Sequence, residues 1–217
     1  MKEKLVIWGA SSHALVVAET VRTAGNYEIV GFLDGVNPER CGQEFCGARI
    51  LGGHQQLDEL VQRGVRHVIF GIGNNLARLK LTEIVRAKDC QLAIAIHPRA
   101  TVASDANIGP GTVIGPGAII NPHVRLGENV VLNTSATVGH ECIIGDGVLV
   151  NAGVNLAGKV EIGRAATIEI GAVIGRGLRI GAGTVVGAGS VVLHDMPDGV
   201  LAYGAPAKVI REIAPHD

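Results

Sequence analysis

In a chain of 217 residues, the adjacent pair His140-Glu141 stands out as a unit that could do chemistry. An imidazole beside a carboxylate can act as a general base, because the acid orients the ring and stabilises the imidazolium. Spacing alone favours a solvated surface histidine over this role. Cys142 lies two residues further on and invites a second reading, a cysteine nucleophile activated by histidine. The other histidines compete poorly by position: His54 and His67 lie in the first part of the chain, His97 and His123 in the early repeats, and His194 follows the repeats. The four cysteines, Cys41, Cys46, Cys90 and Cys142, fit no zinc spacing and no dense disulfide framework. They read as reduced thiols, with no metal site.

A second set of candidates lies near the N-terminus. Gly9-Ala10-Ser11-Ser12-His13 follows an apolar run and precedes a helical pattern, where backbone N–H groups at a helix start can receive a phosphate. It holds only the first glycine of a dinucleotide fingerprint, which argues against a nicotinamide site. Asp34 closes the next apolar run and could accept hydrogen bonds from a ribose or base. Gly71-Ile72-Gly73-Asn74-Asn75 supplies another flexible loop. Plain turn and cap chemistry explains these residues equally well.

The elements that must hold these groups are of two kinds. Residues 1–95 alternate apolar runs with helical patterns. Strands are expected at Leu5–Ala10, Tyr27–Leu33 and Val65–Ile72, and helices at Ser12–Ala24, Leu57–Arg63 and Asn75–Lys88. Ser11 or Ser12 can cap the first helix and Gly25 can end it. This alternation predicts a small Rossmann-like parallel sheet with helices on both faces.

From residue 96 the pattern changes to a strict period of six. Seventeen positions stepping from Ile96 to Val192 are all Ile, Leu or Val. The next residue is Gly at nine of these steps and Asn at three, which suits a recurring bend. The fourth residue after each aliphatic is mostly small or β-branched. Six fits neither a helix face nor an alternating strand, but it fits a short strand plus a corner, three of which close a triangular coil. Eighteen residues per coil gives about five coils and a prism roughly 25 Å tall. A narrow aliphatic interior accounts for 31 glycines against only six aromatic residues. In this register Val138 and Cys142 point inward, so His140 faces out.

Nineteen basic and 20 acidic residues nearly cancel, and no basic run points to nucleic acid or a membrane surface. The first apolar run is too short for a signal-peptide core, so a cytoplasmic protein is expected.

Together the motifs resemble a known family. Gly9-Ala10-Ser11-Ser12-His13, Phe32-Leu33-Asp34, Gly71 to Arg78, Asn133-Thr134-Ser135, Val138 to Cys142 and Tyr203 to Lys208 are similar to those of hexapeptide-repeat sugar acyltransferases. The nearest resemblance is to the N-acetyltransferases of nucleotide-linked 4-amino-4,6-dideoxysugars, with sialic-acid O-acetyltransferase-like proteins next. The resemblance implies a left-handed β-helix over residues 96–217 and a nucleotide-sugar-binding domain over 1–95. It also implies acetyl-CoA as co-substrate and a homotrimer with active sites between subunits. His140 becomes the general base, oriented by Glu141. Ser11, Ser12, His13, Asp34, Gly73, Asn74 and Asn133 become contacts to the nucleotide-linked amino sugar. Gly158, Ile170, Ala188 and Lys208 become contacts to coenzyme A, mostly through backbone groups. Two departures touch the nucleotide pocket: Ser12 replaces a usual Gly, and Gly35 follows Asp34 where a second acid is common. A further histidine that some relatives carry nine residues after the base is Leu149 here. Sugar O-acetylation, a non-enzymatic nucleotide-binding protein, an NAD-dependent protein and a purely structural β-helix are the alternatives.

Overall fold

The computed structural model describes residues 2–213. The chain splits after His97 into two compact units. The first is built on β1 (Glu3–Trp8), α1 (Ser12–Ala24), β2 (Tyr27–Leu33), β3 (Glu44–Phe45), β4 (Ala48–Gly52), α2 (Leu57–Gln62), β5 (His67–Phe70), α3 (Asn75–Ala87) and β6 (Gln91–Leu92). Helix α1 and strand β2 have the bounds read from the sequence. The β3–β4 hairpin was not legible there: β3 has two residues and the stretch before it is irregular.

The sheet order is β3-β4-β2-β1-β5-β6. All pairings are parallel except β3 with β4, which is antiparallel. Because β1 lies between β2 and β5, the chain reverses its direction of winding there. In open α/β sheets a crevice forms at such a point, beyond the carboxyl ends of the strands. Strand alternation divides the core. Val6 and Trp8 pack with Leu57, Leu60 and Val85 from α2 and α3. On the other side of β1 lies Ile7, and a methyl built on Gly71 would meet both Ile7 and Ala14 of α1. Gly71 therefore brings that helix close to the sheet.

The second unit is a left-handed parallel β-helix. Two-residue strands pair at a spacing of eighteen, as in Val113↔Val131, Ile119↔Thr137 and Arg125↔Ile143. Every sixth residue from Ile114 to Val192 is buried. Val102 and Ile108 are only half-buried, since their strands end their sheets and stack on one side alone. Polar residues in inward slots are satisfied: Thr184 donates to Pro197 O (2.5 Å), and Ser190 Oγ accepts from Gly204 N (3.2 Å). At the far end, Val200–Gly204 pairs in parallel with Val185–Val186 and antiparallel with Ala207–Glu212.

The glycines differ from the sequence expectation. Those directly after the inward aliphatic were read as the bends. The left-handed conformation instead falls two residues later, at all fourteen positions from Gly111 to Gly189, and six of these are not glycine. The glycines after the aliphatics serve close approach. A methyl on Gly109 would sit 2.3 Å from Gly127 O of the next coil. Stacking distance, rather than backbone angle, excludes a side chain there.

Candidate active site

His140 and Glu141 occupy one corner of the β-helix. Glu141 is among the six non-glycine residues in the left-handed region, with φ 60°. Such a conformation costs roughly 1 kcal/mol and draws attention to function when it coincides with a reactive group. It places the carboxylate against its neighbour: His140 Nδ1 lies 2.8 Å from Glu141 Oε2. The imidazole is half exposed, as its outward register requires. The hydrogen bond from His140 outweighs an opposing desolvation and, with the charges of Lys159 and His140 adding to it, holds the Glu141 carboxyl below the usual carboxylate range. Lys159 Nζ stands 3.6 Å from the second carboxylate oxygen. With Nδ1 committed to the acid, Nε2 is the nitrogen free to take a proton.

Eighteen residues make one coil, so Gly158 and Lys159 stack on His140 and Glu141. Lys159 N donates to His140 O (2.8 Å), and Glu141 N donates to Pro122 O of the preceding coil (3.0 Å). Cys142, though adjacent in sequence, is fully buried. Its thiol donates to Ala157 O (3.2 Å), and burial pushes its pKa up. It points away from the dyad's surface.

The first unit holds a cleft of about 480 Å³ at the carboxyl ends of β1, β2 and β5, lined among others by Trp8, Ser11, Asp34, Arg40, His54 and Gly73. Gly9, with φ 120°, turns the chain out of β1, and a methyl there would lie 2.6 Å from Gly71 O. This single glycine of the broken fingerprint is thus required for both angle and approach. Ser11 stands at the N-cap of α1, but its hydroxyl donates to Gly71 O (3.2 Å) instead of accepting from the helix. The α1 amides are left without a side-chain cap.

Asp34 is buried and heavily engaged. Oδ1 accepts from Val36 N (3.0 Å) and Asn37 N (3.1 Å), and Oδ2 accepts from Asn37 Nδ2 and Arg40 (3.1 Å each). Burial opposes its ionisation, but the bonds from Asn37 and Val36 and the charge of Arg40 prevail and hold the carboxyl below its usual range. Arg40 also donates to Ala10 O (2.8 Å) and lies over the Phe45 ring. Sequence reading missed this arginine, which sits in a three-residue turn with no periodic signal.

Arg78 is almost wholly buried. It donates to Ile72 O (3.0 Å), Gly73 O (3.1 Å) and Asn75 Oδ1 (3.0 Å), fixing the loop that carries Gly73. Burial lowers its pKa to about 10, so it stays charged at neutral pH. Burial and then Arg78 lower the pKa of His13 to about 4, and His13 Nε2 is buried with no hydrogen-bond partner. His13 does not line the cleft, nor do Ser12 and Asn74. Ser12 is exposed as the first residue of α1, and Asn74 caps α3 by accepting from Ala77 N (2.8 Å).

The remaining candidates lie on the β-helix. Asn133 Oδ1 accepts from Thr134 N (3.1 Å). Ile170 and Ala188 are exposed, and Lys208 is exposed on the terminal hairpin. Gly158 lies under the His140 ring. The dyad, Gly158 and Lys159 thus form one group, and Ser11, Asp34 and Gly73 line another. Among the described residues no group of three His, Cys, Asp or Glu side chains is placed to hold a metal ion.

Residues 4–85 match the family described as the PglD N-terminal domain. Perosamine N-acetyltransferase from Caulobacter crescentus, solved with CoA and GDP-perosamine, is 35% identical. It has a TM-score of 0.92 over 96% of this chain and 97% of that one. The acetyltransferase domain of PglB from Neisseria gonorrhoeae, solved also with acetyl coenzyme A, is 35% identical (TM-score 0.90; 97% of this chain, 100% of that one). WeeI from Acinetobacter baumannii is 26% identical (TM-score 0.84; 96% and 100%). No curated protein sequence matches the chain.

Proposed function

Because the chain belongs to the hexapeptide-repeat acetyltransferases of nucleotide-linked amino sugars, we propose that it transfers the acetyl group of acetyl-CoA to the amine of such a sugar through His140 and Glu141. The observation that carries this reading is the 2.8 Å bond between His140 Nδ1 and Glu141 Oε2, on a corner where the other ring nitrogen is free. Glu141 fixes the tautomer and Nε2 takes the proton as the amine attacks the thioester carbon. The imidazolium, stabilised by the carboxylate, then returns a proton to the departing thiolate. Direct attack within a ternary complex needs no acyl-enzyme.

The cleft at the ends of β1, β2 and β5 takes the nucleotide. Uncapped α1 amides suit its phosphates, the Gly73 loop frames it, and Asp34 sets the turn that presents Arg40. Ser11, Ser12, His13, Asn74 and Asn133 remain proposed contacts to the nucleotide sugar, as do Gly158, Ile170, Ala188 and Lys208 to coenzyme A. The working form is a cytoplasmic homotrimer with its sites between subunits. No helix among the described residues is long and apolar enough to cross a membrane.

The test is release of free CoA thiol when the protein meets acetyl-CoA and a panel of GDP-, UDP- and dTDP-linked 4-amino sugars. Turnover is expected with at least one. His140→Ala should lower kcat by roughly 10²- to 10⁴-fold, the usual worth of a general base, with nucleotide-sugar affinity little changed. Thiol release only with matched nucleotide sugars that carry a hydroxyl in place of the amine, run beside this panel, would establish O-acetylation instead.

A further inference from the structure

We propose that Gly158 is a positioning residue for the catalytic base: its missing side chain leaves room for the His140 imidazole and keeps Nε2 uncovered. The inference rests on the reading of His140 as the base. A methyl built on Gly158 would lie 2.5 Å from His140 Nε2, 2.7 Å from Cε1 and 2.9 Å from Cδ2. These are its three nearest neighbours, and all belong to the imidazole. Gly158 is not among the residues with positive φ, so alanine there would meet no backbone strain. The three closest conflicts therefore all fall on the ring.

The backbone side cannot give way, so the ring must. Lys159 N is bonded to His140 O (2.8 Å) and Gly177 N to Gly158 O (3.0 Å), so the backbone on both sides of Gly158 is held between coils. The ring is held from the other side by Glu141 at 2.8 Å, and Glu141 is itself approached by Lys159 at 3.6 Å. A methyl at position 158 must therefore swing the imidazole away from Glu141 or cover the nitrogen that takes the proton. Gly139 makes a useful contrast, since a methyl there would strike Ala157 and Gly158 backbone atoms at 2.5 Å and disturb the fold itself.

The decisive experiment compares Gly158→Ala, His140→Ala and the double variant. Steady-state kinetics give kcat, and calorimetry gives Kd for acetyl-CoA and for the nucleotide sugar. Gly158→Ala is expected to lower kcat by roughly 10- to 100-fold, the scale of an ångström-sized misplacement of a catalytic group. Both Kd values should stay within about two-fold, because the coenzyme A contact proposed for Gly158 is made through its backbone while the added methyl points at the ring. In the His140→Ala background the same change should add no further loss. If Gly158→Ala alone misfolds, the double variant, which lacks the ring, should still fold, and its misfolding would overturn the proposal. So would wild-type kcat in Gly158→Ala, an equal further loss in the double variant, or a loss confined to acetyl-CoA affinity. A wild-type protein that transfers no acetyl group, or a fully active His140→Ala, defeats the broader reading and the role of Gly158 with it. An inactive His140→Ala beside a fully active Gly158→Ala defeats the role of Gly158 alone.

Discussion

Residues two apart in sequence have opposite fates at the corner that carries His140. His140 faces solvent, whereas Cys142 fills an inward slot, as Ala136 and Val148 do in flanking repeats, and all three are fully buried. A buried thiol whose pKa is raised by its surroundings is a poor nucleophile and is closed to a substrate. Cys142→Ala should therefore retain most of its turnover, with sequential rather than parallel double-reciprocal lines. Its effect should be on stability, a loss of up to about 1–2 kcal/mol from the small cavity left behind, read by denaturant unfolding. An acetyl group trapped on Cys142 in intact-protein mass spectrometry would overturn the direct-attack mechanism. The register that excludes Cys142 was legible in the sequence, because each inward position accepts only a narrow range of side chains. Lys159 was not recognised and Gly158 was named only as a coenzyme A contact, because their nearness to Glu141 and His140 comes from stacking across three repeats. A step of eighteen from the dyad would have found both.

Among the elements of the first unit, those with long periodic patterns were readable, and the segment between Asp34 and α2 was not. That segment folds around one carboxylate, through bonds a hydrophobic pattern cannot register. Asp34→Ala should free Arg40 and loosen the turn. The expected result is a nucleotide-sugar Kd weakened by roughly 10- to 100-fold, the scale of a lost charge-assisted hydrogen bond, with acetyl-CoA affinity intact. Equal loss of both in calorimetric titration would mean that the turn does not serve the nucleotide. Helix α1 allows a prediction about pH. The pKa of His13 falls from an ordinary value of 6.5 to about 4 in the fold, so between these values the unfolded chain binds a proton that the folded one refuses. Stability from this group is complete above pH 6.5 and is lost as pH falls toward 4, by about 3 kcal/mol in total. Denaturant midpoints measured from pH 7 to 4 should decline over this window, and His13→Gln should flatten the decline. An unchanged slope in the variant would place the acid sensitivity elsewhere.

For the molecule as a whole, the stack satisfies its interior but leaves its outer faces unequal. One face presents Asn107, Arg125, Ile143, Glu161 and Arg179 in register, a charged column suited to water. Another presents Thr101, Ile119, Thr137, Asn155, Val173 and Val191, with no charge at all. Ile119 and Val173 on that face are each 41% exposed in the single chain. A neutral, flat column carrying exposed aliphatics is the kind of surface that proteins cover by association. Three copies meeting head-to-tail around an axis would close a ring and leave no such face open. Sedimentation equilibrium at micromolar concentration should therefore give three times the 22.4 kDa chain mass. Lysines at Ile119 and Val173 would set like charges within a contact that cannot hydrate them. The double variant Ile119→Lys, Val173→Lys should sediment as a monomer with an unchanged far-ultraviolet circular dichroism spectrum, since both side chains point away from the coil interior. If active sites form between subunits, turnover should fall with the assembly, and high protein concentration should restore part of each together. A wild-type chain that sediments as a monomer and still turns over would sink the shared site. A trimer unmoved by the two lysines would place the contact on a different face.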